Sequence, residues 1–282
     1  MRLHVSTSIV VWMLSITIGT STVTATPASG SFDHSYQAYA KLLSAHVINQ
    51  RVNYAKLVNA RTSLTTIIES IAAVSAEDFQ RWSEHQQLAY WINAYNLFTL
   101  KAIVDHYPIT GSWLSWYPRN SIKQIEGVWD VMPWHAAGRI VTLDQIEHEI
   151  MRPTFKQPLI HFAINCAALS CPPLKPQPYR SETLIEQLTT STRQALAQSA
   201  WLKIEEKTLR VTAILNWFGE DFTTEYAHVV TANGSYRDRA ILGLIARYGP
   251  PAAQAIARVP NTRIRFLAYD WSLNDVTGTG RQ

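Results

Sequence analysis

The sequence predicts an α+β domain, rich in helix, with a small and mostly antiparallel sheet. Three observations predict it. Residues 84–107 (EHQQLAYWINAYNLFTLKAIVDHY) run without Gly or Pro and stop at Pro108, as a long helix does. Apolar residues recur at helical spacing on both sides of that stretch. The strand-like runs are short and lie mainly toward the C-terminus, and their order among the helices suggests a small, mostly antiparallel sheet.

In chain order, residues 1–31 come first. Arg2 and His4 precede the apolar run 9–18 (IVVWMLSITI), and Val23-Thr24-Ala25 fits a small-x-small cleavage site. Export with cleavage after Ala25 is expected, which places the protein in the periplasm or outside the cell. The run is shorter than the roughly 20 residues that span a bilayer, so no integral membrane segment is expected after cleavage. Residues 26–31 (TPASGS) read as a flexible leader, and 32–282 as one domain.

Helical spacing begins with Phe32, Tyr36, Tyr39 and Leu43 and returns with Leu64, Ile67, Ile68 and Ile71. Ser75, with Asp78 three residues on, resembles a helix start. The 84–107 helix is apolar nearly all round, which marks a buried central helix. Its Asn93 and Asn96, about 60° apart around the axis, must then find partners. Residues 108–138 are rich in Trp, Pro and Gly and read as an ordered loop with short helices. A short strand is expected at 139–141. Thr142 then caps a helix with Gln145 at the reciprocal position, ended by Pro153.

Residues 159–164 (LIHFAI) read as a buried strand, and Pro172-Pro173 forbids a long helix after Cys171. Residues 181–200 form an amphipathic helix. Residues 201–204 and 209–213 form a hairpin, two helical segments lie at 214–218 and 238–248, and 262–269 (TRIRFLAY) is a closing strand.

With 47% apolar and 16% charged residues, the chain can bury a substantial core and is not disordered. A net charge of +4, without basic runs interleaved with aromatics, argues against nucleic acid as a partner. No HxxxH or HxH pair occurs, and the residues call for neither a metal nor a cofactor. Cys166 and Cys171 have neither redox CxxC nor zinc spacing, which leaves a small-loop disulfide or a reactive thiol.

Five segments resemble domain-of-unknown-function family 547: WINAYN (91–96), LDQIEH (143–148), IHFAINCAA (160–168), SCPPL (170–174) and YDWSLN (269–274). They follow the family's order and span most of the chain after its leader. Ala168 stands where the family more often has Ser. The resemblance implies a family found in exported bacterial proteins and in multidomain eukaryotic ones, some of which also carry a glutaredoxin-like domain, and it implies no particular reaction.

If an apolar strand ends at Ile164 and Asn165 caps a helical turn, Cys166 lies at the helix's positive end, where a thiolate is favoured. Papain-like and transglutaminase-like enzymes present a cysteine in this way. Such a cysteine needs a base and an orienting group. His161 and His148 are the candidate bases. Asp144, one turn before His148, and Asn93 and Asp270 are the candidate orienting groups. Asn96, Asn165 and Glu147 are polar residues with a substrate-facing or structural role. The expected function is then a thiol-dependent hydrolase or transferase acting on an amide, a peptide or a thiol-containing small substrate. Two alternatives stand beside it: a non-catalytic binding or scaffold protein stapled by a Cys166–Cys171 disulfide, and a thiol–disulfide redox protein.

Overall fold

Burial of one long helix organises the molecule. The computed structural model describes residues 32–276; the expected leader, its cleavage point and residues 26–31 lie outside the described residues. Helix α5 (Glu84–His106) begins at a complete capping box, in which Ser83 and Gln86 bond each other's backbone N–H. Every residue from Leu88 to Leu100 is buried, as its all-round apolar sequence requires.

Among the described residues four shorter helices precede it: α1 (Gln37–His46), α2 (Tyr54–Val58), α3 (Arg61–Ala72) and α4 (Ala76–Arg81). α1 starts five residues later than its apolar spacing suggests. The Asp33 carboxylate accepts the N–H groups of Ser35 and Gln37, and Tyr36 adopts left-handed geometry, so a turn occupies the first positions. Ser75 caps α4 as expected, accepting from the Asp78 N–H. Between α1 and α2 lies a two-residue-per-strand hairpin, β1 (Val47–Ile48) and β2 (Arg51–Val52).

The Trp-rich segment is ordered. Gln124 donates to the carbonyls of Tyr117 and Pro118 and closes the loop at its base. β3 (Trp134–Ala136) and the expected strand β4 (Arg139–Val141) pair through the turn Ala137-Gly138. Both turn residues have positive φ, the geometry whose twist matches a hairpin.

Thr142 and Gln145 form the expected capping box, but the helix they start is not an ordinary one. Residues Gln145–Met151 form a wide π-turn, in which the Arg152 N–H bonds Glu147 O five residues back, and α6 (Arg152–Phe155) follows directly. Pro153 therefore does not end the helix. It sits in the first turn of α6, where its missing N–H costs nothing, and Lys156 in left-handed geometry ends the segment.

The predicted strand at 159–164 is a 3₁₀ helix, Pro158–Phe162. Pro158 presets φ, the Gln157 side chain accepts the Leu159 N–H, and Ala163 N–H bonds back to Ile160 O. A short buried apolar run carries no period to separate the two conformations.

In the second half α7 (Leu184–Leu196), the hairpin β5 (Leu202–Glu205) and β6 (Thr208–Val211), α8 (Ile214–Trp217), α10 (Tyr236–Tyr248) and β7 (Arg263–Phe266) come in the expected order, with two further short helices, α9 (Thr223–Tyr226) and α11 (Pro251–Ala257), between them. β7 joins β6 in parallel, while the three hairpin pairings are antiparallel. The architecture is the predicted α+β, rich in helix. After β7 the chain crosses the Cys166 loop: Leu169 N–H bonds Ser272 O, Asn274 N–H bonds Ala167 O, and Val52 N–H bonds Asn274 O. This crossing brings the YDWSLN segment against the IHFAINCAA segment.

Candidate functional site

The π-turn, the 3₁₀ helix, the Cys166 loop and α8 converge on a cleft of about 530 Å³. Its walls are aromatic: Tyr95, Trp129, Trp217, Phe218, Tyr269 and Trp271. Lys123 crosses one wall with its ammonium 4.3 Å from the Trp129 ring centroid and 4.6 Å from that of Trp271.

Behind His161, outside the cleft lining, Arg152 forks onto Asp221, Nε to Oδ2 at 2.7 Å and Nη2 to Oδ1 at 2.8 Å. The same Oδ2 lies 2.8 Å from His161 Nε2. Burial works against charge on Asp221, yet hydrogen bonds from Arg152 and His161 hold its carboxyl well below the usual range. An ionised carboxylate only accepts, so His161 carries its proton on Nε2. Burial lowers the His161 pKa against the pull of Asp221, which keeps the ring neutral and leaves Nδ1 with a free lone pair. That nitrogen faces Glu147 Oε1 at 3.8 Å, too far for a direct hydrogen bond. The ring stacks on Phe218, centroids 4.2 Å apart.

Glu147 is itself buried, and burial pushes its carboxyl up to about 7 despite the nearby Arg152 charge and a hydrogen bond from Tyr95. The fold thus pairs an acid that is half-protonated near neutrality with a neutral, oriented imidazole. His148 is exposed at the rim. Its Nδ1 accepts from Arg152 Nη1 at 3.1 Å, and Asp144 Oδ1 lies 4.0 Å from Nε2. Burial and Arg152 lower its pKa.

Cys166 lines the cleft together with His148 and His161, and it is bridged to Cys171 by a disulfide. Asn165 does not cap a helix. Its Oδ1 accepts the Ala167 N–H, but Ala167 has φ of 60°, and the chain turns away instead of coiling. The papain-like or transglutaminase-like strand-to-helix presentation of Cys166 therefore does not form, and no helix end acts on its sulfur. In its place the Tyr269 hydroxyl lies 3.2 Å from Cys166 Sγ and 3.1 Å from Cys171 Sγ.

The buried amides hold backbone. Asn93 donates to Tyr179 O and accepts from Tyr179 N–H. Asn96 donates to Ala163 O and accepts from Asn165 N–H. Asn165 ties its loop to Pro172 O and to Asn274. Asp270 lies beyond the bridge, in a second cavity of about 330 Å³ that also takes in Cys171. It accepts from Ser272 N–H. The cleft thus brings together Cys166, His161, His148, Glu147 and Asp144, and leaves out Asn93 and Asp270.

Sequence reasoning did not single out Asp221, Arg152, Lys123 or the Tyr269 hydroxyl. Asp221 lies 60 residues from His161 and carries no local signal. Tyr269 was within reach, because it opens the YDWSLN segment. Among the described residues no three His, Cys, Asp or Glu side chains are gathered to hold a metal ion, and no helix is long and apolar enough to cross a membrane.

Residues 79–196 match the family model described as "Protein of unknown function, DUF547". The matched stretch, less than half of the chain, is similar to that family. It contains the 3₁₀ helix, the π-turn and both cysteines, while Asp221 and Tyr269 come from the chain beyond it. No curated protein and no solved structure matches the chain.

Proposed function

We propose that the cleft is the active site of a cysteine-dependent acyl-transfer enzyme, a hydrolase or transferase of amides, peptides or thiol-containing small substrates, whose nucleophile Cys166 rests as a disulfide. One observation carries this reading. His161, which lines the cleft together with Cys166 and Glu147, is neutral and fixed through Nε2 by the Asp221–Arg152 pair, and its free Nδ1 faces Glu147. This is the base-plus-orienter arrangement a thiol nucleophile requires. Asp221 supplies the orienting carboxylate that sequence reasoning sought in Asp144, Asp270 or Asn93.

After an external thiol has opened the bridge, His161 Nδ1 takes the Cys166 proton. The thiolate attacks the substrate carbonyl, and the amine leaves with that proton, which gives a thioester. Water, or an acceptor amine or thiol, then attacks the thioester and restores Cys166. Glu147, near its midpoint at neutral pH, is placed to hold or pass a proton beside Nδ1. The compartment is the oxidising one expected for an exported chain, which agrees with a bridged resting form.

Reduced protein should turn over chromogenic amide or thioester probes and become acylated at Cys166, with loss of both in Cys166→Ala and His161→Gln. Acylation absent from the reduced wild-type protein would remove the reading. A second reading, a non-catalytic binding protein, is favoured by the closed bridge and by the Tyr269 contact to both sulfurs. It predicts ligand binding in the aromatic cleft that is indifferent to reduction.

A further inference from the structure

The two sulfurs of the bridge differ in surroundings. Cys166 is half-buried and faces the large aromatic cleft, whereas Cys171 is 3% exposed and borders the smaller cavity behind it. Their hydrogen-bond donors differ as well. Cys171 Sγ receives the Cys166 backbone N–H at 3.0 Å and the Tyr269 hydroxyl at 3.1 Å. Cys166 Sγ has the Tyr269 hydroxyl alone, at 3.2 Å. That hydroxyl is buried, and burial together with Glu147 raises its pKa, so it acts as a donor.

Thiol–disulfide exchange depends on which sulfur is reachable and on how stable the departing thiolate is. Both criteria select the same direction here. We propose that the Cys166–Cys171 bridge is a one-directional redox switch: an incoming thiol attacks Cys166 from the cleft, and Cys171 leaves as a thiolate stabilised by Tyr269 and the Cys166 N–H. The attacking thiolate forms a new S–S bond with Cys166 Sγ, the Cys166–Cys171 bond breaks, and its electron pair stays on Cys171. A second thiol, or the other sulfhydryl of a dithiol, then attacks the outer sulfur of the mixed disulfide. Cys166 departs as the thiolate, and the reductant leaves oxidised. Without that second thiol, Cys171 re-attacks Cys166 and expels the first. Cys171 is thus the resolving cysteine. Tyr269 lies against both sulfurs, so the Cys166 N–H is the donor that sets Cys171 apart as the leaving thiolate.

The inference rests on Cys166 being the cleft sulfur and not on acyl transfer, so the two fail separately. The test uses the oxidised full chain and glutathione. Wild-type protein is incubated with glutathione, quenched in acid and mapped by peptide mass spectrometry. The adduct is expected on Cys166. Cys171→Ser incubated with oxidised glutathione should hold a stable adduct at Cys166, and Cys166→Ser should take up far less at Cys171. Tyr269→Phe removes one donor from the leaving thiolate and should slow reduction by about tenfold, with its fold checked by near-ultraviolet circular dichroism. An adduct mainly on Cys171, or a bridge that glutathione opens only in denaturant, overturns the proposal. An unchanged reduction rate in folded Tyr269→Phe overturns the role of Tyr269. If that variant does not fold, the adduct map of the wild-type protein still decides the direction.

Discussion

Replacing Glu147 by Gln should make the protein more stable at alkaline pH and leave it nearly unchanged at acid pH. In the fold, burial moves this carboxyl from its ordinary 4.5 to about 7. Below pH 4.5 it is protonated in folded and unfolded chains alike, and its charge contributes nothing. Between 4.5 and 7 the unfolded chain gives up the proton while the fold keeps it, so stability falls as pH rises. Above 7 both forms are ionised, and the penalty has reached its full size. At about 1.4 kcal/mol for each pH unit between the two midpoints, that size is about 3 kcal/mol. Glutamine has the same shape and never ionises. The stability difference between Glu147→Gln and the wild type should therefore grow by about 3 kcal/mol from pH 4 to pH 8, read by urea unfolding at each pH. The pH 4 value reports the cost of exchanging acid for amide beside Tyr95, and subtracting it isolates the charge. A difference that stays flat across this range would show that Glu147 ionises like an exposed acid, and the acid–imidazole pairing would lose its physical basis.

Three further outcomes follow. Trp91, 1% exposed in the middle of α5, should cost about 3–5 kcal/mol when cut to Ala, measured in denaturant; a loss of a few tenths would mean that α5 is peripheral. The His161 imidazole should titrate below its ordinary 6.5 by nuclear magnetic resonance, and Asp221→Asn should push it lower still, because Asp221 is the group that favours its charge; an upward move would refute the assignment. Replacing both cysteines by Ser should lower stability by only about 2 kcal/mol, since the bridge closes a loop of very few residues, and thermal melts that show global unfolding would contradict this.

The parts of the fold that were legible in the sequence are those where one local rule acts over many residues. α5 is set by length, helix formers and a capping box, and its all-round burial follows from the same letters. Ser75, Thr142 and Gln145 cap as their spacing suggests, because a cap is a contact within one turn. Two local rules met competition. Pro153 removes a helical N–H, but a preceding π-turn bonded over five residues lets it open a new turn. Residues 159–164 were long enough to be apolar and too short to show a period, and the pair Gln157-Pro158 decided for 3₁₀.

For the site, residue type was legible and geometry was not. Cys166, His161, His148 and Glu147 were all named from the sequence, and all reach one cleft. The role of each follows from contacts that span the chain. His161 becomes a candidate base because Asp221 comes to its Nε2 from a 3₁₀ turn 60 residues away, and Asp221 is held there by Arg152, which the π-turn delivers. That turn also places Ile146, Glu147 and Met151 on the buried face while His148 stays exposed. An ordinary helix would have spread the buried stripe over Leu143, Ile146 and Ile150, and Ile150 is only half-buried. The inversion at Asn165 has the same origin. Its side chain does reach the N–H two residues on, as a cap would, but Ala167 takes left-handed geometry and the C-terminal segment bonds Ala167 O and Leu169 N–H, so the loop turns away instead of coiling. The same pairing carries Tyr269 to the sulfurs. One crossing of strand-like segments, invisible to any local pattern, removes the helix end from Cys166 and supplies the hydroxyl that replaces it.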